Sequence, residues 1–144
     1  MAKERFKLCV STYLFLEKED KILLHLRQNT GYADGNYSLV AGHLDGNETA
    51  TQAIIREAKE EANIIINPED LKVVHIMHRT SDRENIDIFF SCKKWTGEIK
   101  NLEPHKCGGL TFASKNNLPE NTLEYVKIAL SNEKSGQFYS ELGF

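Results

Sequence analysis

The chain has 144 residues, 40% of them hydrophobic and 27% charged, with a formal net charge of −3 at pH 7. That size and balance predict one soluble globular domain, residues 1–144, with a core of its own and no room for a second. The scattered basic residues exclude the electrostatic footprint of a duplex-binding protein, and no run approaches the roughly 18 apolar residues of a membrane span.

Cys9, Cys92 and Cys107 are odd in number and widely spaced, without a CxxC pair. They read as free thiols in a reducing compartment and give neither a disulfide framework nor a zinc site. The opening MAKERFKL lacks the long apolar core of a signal peptide, so the expected location is the cytoplasm.

In chain order, Phe6–Leu16 is rich in valine, tyrosine, leucine and phenylalanine, Glu17–Asp20 is a polar turn, and Lys21–Arg27 is apolar again. This predicts a strand, a hairpin turn and a second strand. Arg27 opens a loop, Gln28–Tyr37, which carries Tyr32 and the turn pair Asp34-Gly35. Tyr37–Ala41 is a short extended piece that delivers Gly42, whose missing side chain leaves its carbonyl free to approach a cation. Beyond it a helix is expected to end near Ala62–Asn63, capped at its start by Asn47 or Thr49 with Glu48 in the first turn, and Pro68 prevents its continuation. Leu71–Arg79 and Asn85–Lys93 are two further strands around the polar turn Thr80–Glu84. His75 and His78 fall on opposite strand faces and read as ordinary strand residues. A charged loop through Glu103 precedes a last strand, Leu110–Ala113, and Leu118-Pro119 starts a closing helix that ends near Gly136. The order is not a strict βαβ alternation, so it predicts a mixed sheet between helices.

The helix after Gly42 carries Arg56, Glu57, Glu60 and Glu61 in its last two turns. At 3.6 residues per turn the three carboxylates share a sector of roughly 100°. Glu61 falls between Ala50 and Ile54, inside the apolar side, where a purely solvated glutamate has no place. Helix C-termini favour cations, so paired glutamates there call for positive compensation. Arg56 and Glu60 at i, i+4 stabilise by only about 0.2–0.5 kcal/mol, and a divalent cation would do far more. Hard oxygen ligands without histidine or cysteine suit Mg2+, or Mn2+, rather than zinc.

Gly42, five residues, Glu48, seven residues and then Arg56-Glu57-Ala58-Lys59-Glu60-Glu61-Ala62-Asn63-Ile64 resembles the Nudix box, G-x5-E-x7-R-E-U-x-E-E-x-G-U with U aliphatic. The last glycine is Asn63 here, the next-best residue for a left-handed helix cap. The resemblance implies an α/β/α sandwich. It also implies Mg2+ held by Glu57, Glu61 and the Gly42 carbonyl, with Glu60 direct or through water, and Arg56 orienting the glutamates. Glu48 takes a secondary role, and His43 a structural one. In MutT-like members an arginine before the box contacts substrate phosphate, which makes Arg27 the candidate here. Tyr32 and Tyr37 are candidates for contact with the nucleotide. Glu103 matches a late glutamate that reaches the metal cluster, and the general base is left open among Glu60, Glu61 and Glu103.

The implied function is hydrolysis of a nucleoside triphosphate, or an oxidised one, to monophosphate and pyrophosphate by water attack. A small-molecule nucleotide is then the partner, with oligomeric state open. The enzyme alternative is cleavage of ADP-ribose or another nucleoside diphosphate derivative. The alternative of another class is a nucleotide sensor without turnover, which the loss of a box glutamate would favour; none is lost.

Overall fold

The computed structural model describes residues 3–144. Its central strand is β1, Cys9–Lys18, in which every residue from Ser11 to Glu17 is buried. Strand side chains alternate between faces, and both faces of β1 are covered. Tyr13 and Phe15 enter one core with Met77, Phe89, Val126 and Ala129. Leu14 and Leu16 enter a second with Val40, Ile54, Ala58 and Phe90. A strand buried on both sides reads as a continuous apolar run.

The remaining elements are β2 Lys21–Arg27, β3 Tyr37–Ser38, β4 Val40–His43, α1 Ala50–Ala62, β5 Leu71–Thr80, β6 Glu84–Cys92, β7 Cys107–Ser114, α2 Glu124–Lys134 and β8 Tyr139–Leu142. β1 runs antiparallel to β4 and parallel to β6; β6 pairs antiparallel with β5, and β5 parallel with β8. At its end β1 turns through Glu19, at φ 59°, into β2, which continues the sheet to β3 and β7. α1 packs on the core of Leu14 and Leu16 and α2 on that of Tyr13 and Phe15. The mixed sheet between helices expected from the sequence is the fold.

Several boundaries differ from expectation. β1 extends through Glu17, whose carboxylate is buried because Ser91 and Lys115 bind it. The piece before Gly42 is two strands, β3 and β4. α2 starts at Glu124 rather than at Leu118, because the backbone around Thr122 pairs with Tyr37 and Leu123 is extended at ψ 144°. β8, which the sequence did not announce, adds a strand beside β5.

Candidate active site

α1 is held at both ends. Thr49 accepts from the Gln52 amide while Gln52 reaches back to the Thr49 amide, a capping box. Asn63 closes the helix at φ 63°, ψ 26°, the left-handed cap expected of it. Glu48 therefore lies just before the cap, not in the first turn.

These ends fix the rotation of α1 against the edge of β4. Glu61 is 8% exposed, accepts from the Ala41 amide at 3.2 Å and lies 3.7 Å from His25 Nε2. Glu57 lies over Gly42, where an added Cβ would come within 2.7 Å of Glu57 Cγ and overlap the carboxylate. The glycine is thus the gap through which a helix carboxylate reaches the strand edge. Its carbonyl accepts from Thr12 Oγ1 at 3.2 Å.

Burial pushes the Glu61 carboxyl well above the ordinary range, and the neighbouring Glu57 and Glu103 charges push it further. Burial also raises Glu57, against hydrogen bonds from Glu61 and Arg56 that lower it. Burial and the Arg27 charge hold His25 below its usual value, so its contact with Glu61 is not an ion pair at neutral pH.

Arg56 is a hub. Its Nη2 donates to Glu48 Oε1 and its Nη1 to Glu57 Oε1, both at 2.8 Å, and Nη1 reaches Glu60 Oε2 at 3.4 Å. Glu48 also accepts from the Asp45 amide at 3.2 Å, which ties the Gly46 loop to the helix. The Arg56–Glu60 pair foreseen from spacing is the weakest of these contacts.

Glu57 and Glu61 open into a cleft of about 470 Å3 with Gly42, Arg27, Tyr32 and Glu103 in its wall. Arg27 donates to the Tyr32 carbonyl at 2.8 Å and to Thr30 Oγ1 at 3.0 Å, so loop and arginine form one unit. Glu60, Glu48, Arg56 and Tyr37 do not line the cleft. The sector of three carboxylates is therefore two plus one: Glu60 is more than half exposed and turned to Arg56. Among the described residues no three His, Cys, Asp or Glu side chains make a ready-made metal cluster. Tyr37 packs against the core beneath α2, and His43 accepts or donates between Ser11 Oγ and Arg83.

Sequence reasoning missed His25, Lys106 and the floor residues Ser11, Tyr13, Arg79, Asn85 and Tyr125. Two signals existed. His25 shares the face of Arg27 by strand alternation, and Asp87 sits amid an apolar run in β6, where a charge needs a buried partner.

The chain matches the NUDIX domain model over residues 5–129. It belongs to the Nudix hydrolase family. A stretch of 114 residues is 32% identical to the ADP-ribose pyrophosphatase of Methanocaldococcus jannaschii, covering 78% of this chain and 66%, just under two thirds, of that protein's length. A stretch of 96 residues is 26% identical to the 8-oxo-dGTP diphosphatase of Proteus vulgaris, covering 67% of this chain and 85% of that protein. The crystal structure of a MutT NUDIX hydrolase from Burkholderia pseudomallei superposes with a TM-score of 0.80 at 20% identity, over 88% of this chain and 98% of that one. At that identity the likeness speaks for the fold, and the Nudix α/β/α sandwich is the fold of this chain. The carboxylates described above stand on the Nudix box, from Gly42 through Ile64.

Proposed function

We propose that residues 1–144 work as one domain that hydrolyses diphosphate linkages of nucleoside substrates with Mg2+ or Mn2+, foremost nucleoside triphosphates to monophosphate and pyrophosphate. The observation that carries this is the convergence of Glu57 and Glu61 at Gly42, in the wall of a cleft that also presents Arg27 and Lys106.

The donor set fits a hard divalent cation. Two carboxylates are forced together in a half-dry site with a backbone carbonyl beside them, and Arg56 reaches only Glu57 of the two. Glu57, Glu61 and the Gly42 carbonyl would hold the ion, with Glu60 able to join through water. Such an ion neutralises phosphate charge and lowers the pKa of bound water.

The chain's own residues do the rest. Arg27 and Lys106 place positive charge against the substrate phosphates, where a developing negative charge is stabilised most. A water oxygen attacks phosphorus, the anhydride P–O bond breaks, and the water's proton passes to a carboxylate. Glu61 and Glu103 line the cleft and Glu60 does not, which favours Glu61 or Glu103 over Glu60 as the base. Arg56 holds Glu57 on one side and Glu48 on the other, fixing the catalytic helix to its entry loop. Tyr32, 44% exposed on the cleft rim, is the aromatic candidate for the nucleotide. The three free thiols support a reducing setting, the cytosol.

Cleavage of ADP-ribose is the second reading, favoured by the 32% identity to an ADP-ribose pyrophosphatase. One assay separates the two: products from nucleoside triphosphates, oxidised triphosphates and ADP-ribose, with Mg2+, for wild type and Glu61→Gln. Pyrophosphate plus monophosphate from a triphosphate supports the first reading. AMP plus ribose 5-phosphate supports the second. Binding without turnover of any substrate makes the protein a sensor and sinks both.

A further inference from the structure

Glu103 and Lys106 enter the cleft wall from the connection between β6 and β7. A connection has no ladder of its own, so its shape depends on the bonds its backbone finds elsewhere. Here those bonds reach two other parts of the site. The Lys100 amide donates to the Ala62 carbonyl at 3.0 Å and the Leu102 amide to the Glu61 carbonyl at 3.3 Å, both at the end of α1. The Lys106 and Cys107 amides then donate to the Glu103 carbonyl at 2.9 and 2.8 Å, closing a turn with Pro104 where its fixed φ is favoured. On the far side the Pro104, His105 and Lys106 carbonyls accept from Gln28 Nε2 at 2.7 Å, Asn29 Nδ2 at 2.8 Å and the Gln28 amide at 3.1 Å. The connection therefore bridges the carboxylate end of the helix and the loop that begins at Arg27.

Asn101 closes this bridge from within. Its Oδ1 accepts from the Glu103 amide at 3.0 Å, and its Nδ2 donates to the Cys107 carbonyl at 2.8 Å. Only an oxygen can make the first bond and only an N–H the second, so the amide has one orientation. The pair of bonds ties the start of the turn to the first residue of β7. Aspartate would set a carboxylate against the Cys107 carbonyl, and serine can accept from the Glu103 amide but is too short to make both bonds. Asn101 itself does not line the cleft.

We infer that Asn101 is a positioning residue for hydrolysis: it touches no substrate and acts by holding the Glu103 carboxylate in the cleft wall that Glu57 and Glu61 share. Without its two bonds the turn keeps its ends but not the direction of Glu103, and a shift of about 1 Å at such a group is costly in rate. The inference rests on the hydrolase reading above and adds a residue to it.

The test is a double-mutant cycle of Asn101→Ala with Glu103→Gln. It is read as kcat with Mg2+ on whichever of the nucleoside triphosphates and ADP-ribose wild type cleaves. Alone, Asn101→Ala is expected to lower kcat about tenfold, in the range found for groups that orient others at a metal site, with a melting temperature within about 3 °C of wild type. Asn101→Ser, which keeps a bond to the Glu103 amide, should lose less. In the Glu103→Gln background Asn101→Ala should change kcat by less than about twofold, because the group it positions is gone. An equal loss in both backgrounds overturns the proposal, being what a merely structural asparagine gives, and so does full activity of Asn101→Ala. Amide hydrogen exchange gives a reading that needs no turnover: the Lys106 and Cys107 amides should exchange at least about fivefold faster in Asn101→Ala. Unchanged exchange overturns the proposal whatever the turnover. If wild type cleaves no substrate, faster exchange keeps Asn101 as the residue that sets Glu103, and the hydrolase reading alone falls.

Discussion

Gly42→Ala isolates the catalytic geometry from the fold. Gly42 does not adopt a positive φ, so alanine is tolerated by the strand backbone. The new Cβ overlaps the Glu57 carboxylate and sits 2.7 Å from Glu57 Cγ. Ordinary carbon contacts are about 3.5–4.0 Å, so the side chain must retreat by roughly 1 Å. A displacement of that size at reacting groups costs about 10²-fold in rate, or about 2.7 kcal/mol in the barrier. Glu57 is a long side chain lining the cleft, so it can yield to the new methyl by changing rotamer without moving the strand or helix backbone. The melting temperature of the variant should therefore stay within about 3 °C of wild type. The assay is magnesium-dependent pyrophosphate release, with a thermal-shift titration of Mg2+ beside it. Wild type should gain stability with Mg2+ by mass action, and the variant should gain little. Full activity in a folded Gly42→Ala protein would refute the placing of Glu57 as a working carboxylate.

Three further outcomes are expected. Glu48→Gln frees Arg56 from the entry loop and should lower kcat by about tenfold, in the range found for groups that orient metal ligands, while circular dichroism stays unchanged. Asn63→Ala keeps the left-handed cap but gives it a residue that dislikes that region, so urea denaturation should show a loss of about 1–2 kcal/mol. For Glu61→Gln in EDTA the sign follows from the raised carboxyl: the folded state holds its proton above the unfolded value of 4.5, so wild type loses stability as pH rises from there through the folded pKa. The glutamine variant should then melt higher than wild type at pH 8 and level with it near pH 5, with turnover abolished; a lower melting temperature at pH 8 contradicts the desolvated-carboxylate reading.

What the sequence made legible was what local pattern controls. The run CVSTYLFLEK announced a strand, and its lack of alternation followed from cover on both faces. Asn63 announced its own backbone angle. The charged offsets of the box announced the helix and which of its carboxylates faces inward, since Glu61 alone among them lies on the apolar side. What stayed hidden depends on partners far along the chain. Glu17 looked like a turn residue because Lys115, which makes its burial affordable, is 98 positions away. Glu60 shares a sector with Glu57 and Glu61 on a helical wheel, and only the position of β4 decides which carboxylate meets Gly42. The polar floor was invisible for the same reason: Ser11, Arg79 and Asn85 come from three strands whose parallel and antiparallel registers no single segment specifies.

The two sides of the sheet contribute different groups to the cleft. The glutamates arrive from α1 on one side of the sheet and reach the cleft through the gap at Gly42, whereas Arg79, Asn85 and Asp87 rise from the opposite face. β1 lies between, giving Leu14 and Leu16 to the packing of α1 and Ser11 and Tyr13 to the floor. Substitutions in the floor therefore need not disturb the packing that orients Glu57 and Glu61, and the reverse holds for the helix.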